Sequence, residues 1–132
     1  YDCVVCAAMD ARCNQVYVAL FRIEDGKVER LTEEECLKTD EAARMLSEYD
    51  DDIMLVGDGA FIMKKATDNE GMENVKIAPD PLRYQTGYGV CLAAVNAPQL
   101  TPEQLMPMYL KLPQAQRELM AKNAEAYKER KE

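Results

Sequence analysis

No histidine occurs anywhere in the 132 residues, and the single serine is Ser47. Without histidine there is no imidazole base for a nucleophile, and neither H-E-x-x-H nor H-x-x-x-H spacing can be built. Ser47 falls in a segment patterned as a helix and has no G-x-S-x-G around it, so serine catalysis has no carrier. Glycine is sparse as well, six in all, and the polar turn "DARCNQ" (10–15) contains none. Phosphate cradles usually need glycine so that backbone N–H groups can approach the anion. No apolar run approaches the ~18 residues of a membrane span, and no charged-then-apolar leader opens the chain. The chain is expected to be soluble and cytoplasmic, with no membrane contact. It starts at Tyr1 without Met and enters an apolar strand almost at once, which reads as a larger protein whose front half is absent.

Five cysteines are present, an odd number at scattered positions that implies no disulfide framework. Cys3 and Cys6 form a C-x-x-C, but strand positions i and i+3 point to opposite faces, so the two thiols cannot close on one metal. All five are expected to be reduced thiols, with those in strands acting as small hydrophobes. Apolar residues make up 48% and charged residues 30%, the balance of a soluble globular domain. The net charge of -8 is uneven: residues 1–110 carry 10 basic and 20 acidic side chains, residues 111–132 carry 6 and 4. An acidic body argues against sequence-independent nucleic-acid binding, which needs Lys and Arg against phosphates.

The patterning predicts a strand from Cys3 to Asp10, buried on both faces, and a second in "QVYVALFRIE" (15–24). Asp25-Gly26 marks a tight hairpin into a third strand, "KVERL". Thr32 and Glu35 have the spacing of a capping box, with Leu31 and Cys36 as a staple, so a helix is expected there. A second helix start at Thr39 or Asp40 leads into Ala42, Met45, Leu46 and Tyr49, one apolar helical face. Asp50 to Asp52 read as a solvated turn. "IMLV" (53–56), closed by Gly57-Asp58-Gly59, reads as a central strand and turn. A helix from about Ala60 to Thr67, a short strand "VKIAP" and a helix from Leu82 to Ala97 follow. The last is apolar nearly all round and is expected to press against the sheet. Thr101-Pro102-Glu103-Gln104 starts a short helical turn, and 114–132 is a helix-prone tail with an i, i+4 pair, Glu118 with Lys122.

The expected order is therefore βββαβαβα plus a helical tail: an α/β domain over 1–112 with a mixed sheet flanked by helices, and a tail over 113–132. That order is shared with ribonuclease H-like and actin-like (ASKHA) domains, a fold-level analogy. Two polar points lie at strand ends, Asp10 with Arg12 and Gly57-Asp58-Gly59, where α/β sheets tend to bind ligands. If Asp80 lies near, three carboxylates (Asp10, Asp58, Asp80) could hold two divalent ions in a ribonuclease H-like nuclease. Alternatively the two turns are a nucleotide site, degenerate because Asn14 occupies space a phosphate needs. In a third reading they are only architecture, with Arg12 pairing Asp10 to hold the hairpin.

"AAMDARCNQVYVALF", "VGDGA" and "PMYLKLPQAQRE" stand in the order and spacing of the C-terminal half of the bacterial TsaB family, also called YeaZ, which this chain resembles over about residues 4–119. The resemblance implies an actin-like ATPase superfamily fold of two similar halves, of which this is the second. It implies a role in making N6-threonylcarbamoyladenosine at tRNA position 37. In that family a TsaD-like paralog holds metal and nucleotide and a TsaE-like ATPase joins the complex; members are often labelled glycoprotease or peptidase M22 by homology. The implied role is a non-catalytic scaffold without a cofactor, touching tRNA only indirectly, with a homodimer as a further expectation. Asp10, Arg12, Gly57, Asp58 and Gly59 would then outline a degenerate site. Asn14 stands where the family often has glycine, Gln15 where it has glutamate, and Lys111 replaces the more usual arginine, keeping charge but losing the planar fork.

Overall fold

A computed structural model describes residues 2–95, 97–113 and 115–121. Ten elements precede the tail: β1 (Cys3–Asp10), β2 (Gln15–Glu24), β3 (Lys27–Arg30), β4 (Glu35–Lys38), α1 (Thr39–Leu46), β5 (Ile53–Val56), α2 (Ala60–Asn69), β6 (Val75–Ile77), α3 (Asp80–Arg83) and α4 (Gly87–Ala94). Residues 115–121 are also helical. The expected tail pair of Glu118 with Lys122, and everything from 122 on, lies outside the described residues.

The sheet runs β3-β2-β1-β5-β6, with β4 also on β2. β1 is antiparallel to β2 and parallel to β5, and β5 is parallel to β6, which makes the sheet mixed as the order of elements implied. Asp25 and Gly26, both at positive φ (50° and 73°), make the two-residue turn that sets Glu24 opposite Lys27.

The stretch 32–38 departs from the helix that its capping-box spacing predicts. Glu35–Lys38 is a strand, paired with Gln15–Val18. β2 thus has two partners along one edge, β4 for its first half and β3 for its second. Between them the Thr32 hydroxyl accepts from the Leu20 N–H (3.0 Å), while the Leu31 N–H donates to the Leu20 carbonyl (2.9 Å). Thr32 therefore satisfies a strand rather than capping a helix. The free edge of β2 outweighs the local preference of a Glu-rich run, because leaving its N–H and C=O groups unpaired costs more than helix propensity supplies. The helix starts at Thr39 instead, where the Glu41 carboxylate accepts from the Lys38 N–H at 3.2 Å.

One sheet face carries the core. Val4, Cys6 and Ala8 of β1 face the same way as Leu20 and Val18 opposite them, and join Ile53 and Leu55 of β5 under Ala42 and Leu46 of α1 and Ala60 and Met63 of α2. The other face is open: Val5 and Ala7 are only half-buried and Met9 is 59% exposed, so β1 is not buried on both faces. Among the described residues, helices cover one side of the sheet, not both.

The long helix expected over 82–97 is also corrected. Tyr84 is extended (φ -99°, ψ 147°), and Thr86 starts a new helix by accepting from the Gly89 N–H at 3.0 Å. The resulting α4 has no buried residue; Tyr88 and Val95 are about three-quarters exposed. It does not press on the sheet, because the polar break at Gln85-Thr86 releases it before it can continue from α3.

Candidate functional site

The parallel pairing of β1 with β5 brings their carboxyl ends side by side, and the two polar turns with them. The Gly59 N–H donates to the Ala8 carbonyl at 3.0 Å, and the Asp58 carboxylate accepts from the Asp10 N–H at 3.1 Å. Gly57 is at φ 93°, and a Cβ there would lie 2.0 Å from the Ala8 oxygen, so only glycine lets the second turn close onto β1. Its N–H donates to the Arg83 carbonyl at 2.7 Å.

The first turn folds without glycine, at a cost. Arg12, Cys13 and Asn14 have φ of 63°, 54° and 58°, three consecutive left-handed residues. Such residues cost roughly 1–2 kcal/mol each outside glycine, so the turn has to be held from outside. Asp10 accepts from the Arg12 N–H (2.7 Å) and pairs with its guanidinium (3.2 Å), although the Arg12 side chain is 86% exposed and the ion pair itself adds only ~0–1 kcal/mol. The Ala11 N–H donates to Gln15, the Gln15 N–H to Arg12, and the Thr39 N–H to Asn14. Replacing Cys13, an exposed thiol, by glycine is expected to raise stability by about 0.5–1 kcal/mol, the left-handed cost less glycine's entropy. A melting temperature a few degrees higher checks this; an unchanged or lower one shows the turn is unstrained.

A contact not foreseen from the sequence completes the site. Lys111 reaches back a hundred residues to donate from Nζ to the Ala11 carbonyl at 2.6 Å. Residues 108–111 form a strap along the open sheet face, and between strap, sheet and the 82–85 segment lies a groove of about 830 Å³. Ala7, Met9, Tyr17, Phe21 and Tyr109 give it an apolar lining, with Glu34, Asp58 and Lys111 as its charged groups. The Glu34 carboxyl is held below its ordinary value first by a backbone N–H and then by Arg30, 2.7 Å away. The motif Tyr109-Leu110-Lys111 was visible in the sequence, but nothing in its spacing said that it meets the first turn.

Asp80 does not join the two turns as a third ligand. Its carboxylate is 2.7 Å from the Arg83 guanidinium and its side chain is 82% exposed. Arg83 itself is stacked between Phe61 (4.7 Å) and Tyr84 (4.8 Å). Among the described residues, no three His, Cys, Asp or Glu side chains gather as a metal site, so the nuclease reading lacks the carboxylate cluster it requires.

The turn amides also bear on phosphate binding. Those of Asp10, Ala11, Arg12, Gln15, Gly57 and Gly59 all donate within the protein, to Asp58, Gln15, Asp10, Arg12, Arg83 and Ala8 respectively. A phosphate binding through these six amides would have to displace the bonds they already make.

No protein-family model and no curated protein matches the sequence. A crystal structure of an uncharacterized protein with similarity to peptidase YEAZ from Pseudomonas aeruginosa does match, with a TM-score of 0.54 over 82% of this chain and 20% identity. The chain has a YeaZ-like fold. It spans about half of the YeaZ-like structure, 49% of that chain's length. At this identity the likeness concerns the arrangement of elements, a mixed sheet with helices. No helix among the described residues is long and apolar enough to cross a membrane.

Proposed function

We propose that this chain is the non-catalytic, actin-like half of a TsaB-type scaffold in the tRNA N6-threonylcarbamoyladenosine machinery. It works in the cytoplasm beside a TsaD-like catalytic subunit and a TsaE-like ATPase, and meets tRNA only through them. The observation that carries this reading is that the two strand-end turns of a YeaZ-like fold bond to each other and to Lys111, with six of their amides committed to acceptors inside the protein. An antiparallel β1–β2–β3 meander followed by parallel β5 and β6 supports the actin-like assignment. In this reading Asp10, Arg12, Gly57, Asp58 and Gly59 hold two strand ends together, and no cofactor is required.

Two measurements test it. Titration with ATP and Mg²⁺ by calorimetry is expected to give no saturable heat; saturable binding that Asp58→Ala abolishes would mean the site is functional. The protein containing this chain is expected to retain a TsaD-like subunit in pull-down at micromolar concentration. Failure to do so counts against the scaffold role whatever the calorimetry gives.

A further inference from the structure

The groove between the 108–111 strap and the sheet, about 830 Å³, falls in the size range of small-molecule sites. Met9, Tyr17, Phe21, Tyr84 and Tyr109 make its lining apolar and largely aromatic, and only three charged side chains reach it, Glu34, Asp58 and Lys111. Glu34 is neutralised by Arg30 at 2.7 Å and adds no unmatched charge. The other two differ. Asp58 meets the Asp10 N–H through Oδ1, and the half-buried Lys111 meets the Ala11 carbonyl. Among the described residues neither takes part in an ion pair, with each other or with any other side chain.

An ammonium has three donors, of which Lys111 uses one, and a carboxylate has two oxygens, of which Asp58 uses one. Their backbone partners are consecutive residues, with Cα atoms about 3.8 Å apart across a trans peptide. One unmatched cation and one unmatched anion therefore stand at the same end of an apolar groove. A ligand that satisfies both must carry a positive and a negative group close together on an apolar body. An aromatic or fatty acid leaves Asp58 unmatched, a simple amine leaves Lys111 unmatched, and a nucleotide brings several negative charges to a single ammonium. A free α-amino acid has its ammonium and carboxylate on one carbon, and an aromatic side chain suits a lining of aromatic rings.

We propose that this groove binds a free aromatic α-amino acid, its ammonium on Asp58, its carboxylate on Lys111 and its side chain over Met9, Tyr17 and Phe21. The site goes beyond the scaffold role, and neither depends on the other. Calorimetric titration of the protein with L-tryptophan is expected to give saturable one-site binding. Indolepropionate, which lacks the ammonium, and tryptamine, which lacks the carboxylate, should each bind at least ~10-fold more weakly, through loss of one charge-assisted hydrogen bond. Two substitutions assign the ends. Lys111→Met should weaken L-tryptophan at least ~10-fold and leave tryptamine unchanged, whereas Asp58→Asn should weaken L-tryptophan as much and leave indolepropionate unchanged. Asparagine still accepts from the Asp10 N–H, and the analogue that each variant binds normally shows that the groove is intact. No saturable heat with L-tryptophan at millimolar concentration, equal binding of the three compounds, or L-tryptophan binding that survives either substitution overturns the proposal.

Discussion

Gly57→Ala is expected to destabilise the protein by at least ~3 kcal/mol, among the largest effects of any single substitution here. Two costs act together. The residue is at φ 93°, where a Cβ is strained in any surroundings, and that Cβ would lie 2.0 Å from the Ala8 carbonyl oxygen and 3.0 Å from its carbon. The obstacle is backbone, so no rotamer change relieves it. Relief requires β1 and β5 to separate at their carboxyl ends, which breaks the Gly59–Ala8 and Asp10–Asp58 hydrogen bonds as well. Gly26→Ala is the control: its φ is 73°, but nothing lies within 4 Å of the added methyl, so it should cost only ~1 kcal/mol. Urea midpoints of the two variants read the difference. Equal losses would mean that the close approach to Ala8 contributes nothing.

Cys6 is expected to dominate the alkaline limb of the stability curve. It lies at the centre of the core on β1, and burial pushes its thiol up from 9.0 to about 12. The folded protein holds this proton where the unfolded chain has released it, so the contribution is complete below pH 9 and is lost as pH rises from 9 toward 12. At ~1.4 kcal/mol per pH unit the loss approaches about 4 kcal/mol by pH 12. The comparison is with Cys6→Ala, which leaves every other ionisable group in place. That variant has a cavity cost independent of pH, and the advantage of the wild type over it should shrink steadily above pH 9. Parallel curves from pH 8 to 11 would show that the thiol does not titrate with unfolding. The same protection predicts that alkylating reagents reach Cys13 and Cys91, both exposed, long before Cys6.

The core elements were legible because their signals are local. β1, β2 and the Asp25-Gly26 hairpin follow from β-branched and aromatic residues bounded by turn chemistry, and α1 from the spacing of Ala42 and Leu46. β4 was not legible. Its residues carry a good capping-box pattern, and what made them a strand was an unpaired edge on β2, twenty residues earlier. The α4 region failed differently: a helix apolar all round normally indicates burial, whereas α4 has no buried residue. At the site, Asp10, Arg12 and the Gly57-Asp58-Gly59 turn could be chosen as strand ends, and Asn14 could be seen to take a left-handed conformation. That Arg12 and Cys13 share it, and that Lys111 closes the turn, could not.

From the sequence alone, the absence of histidine excluded imidazole chemistry, the periodicities specified most of an α/β domain, and the motif order pointed to a YeaZ-like arrangement. Only the tertiary structure decided that the two turns bond to each other, that Asp80 pairs with Arg83 instead, and that one sheet face stays open. Periodicity and turn chemistry are written within a few neighbouring residues. Which amide finds which acceptor, and which apolar face finds a cover, depends on groups brought together from as far apart as Ala11 and Lys111.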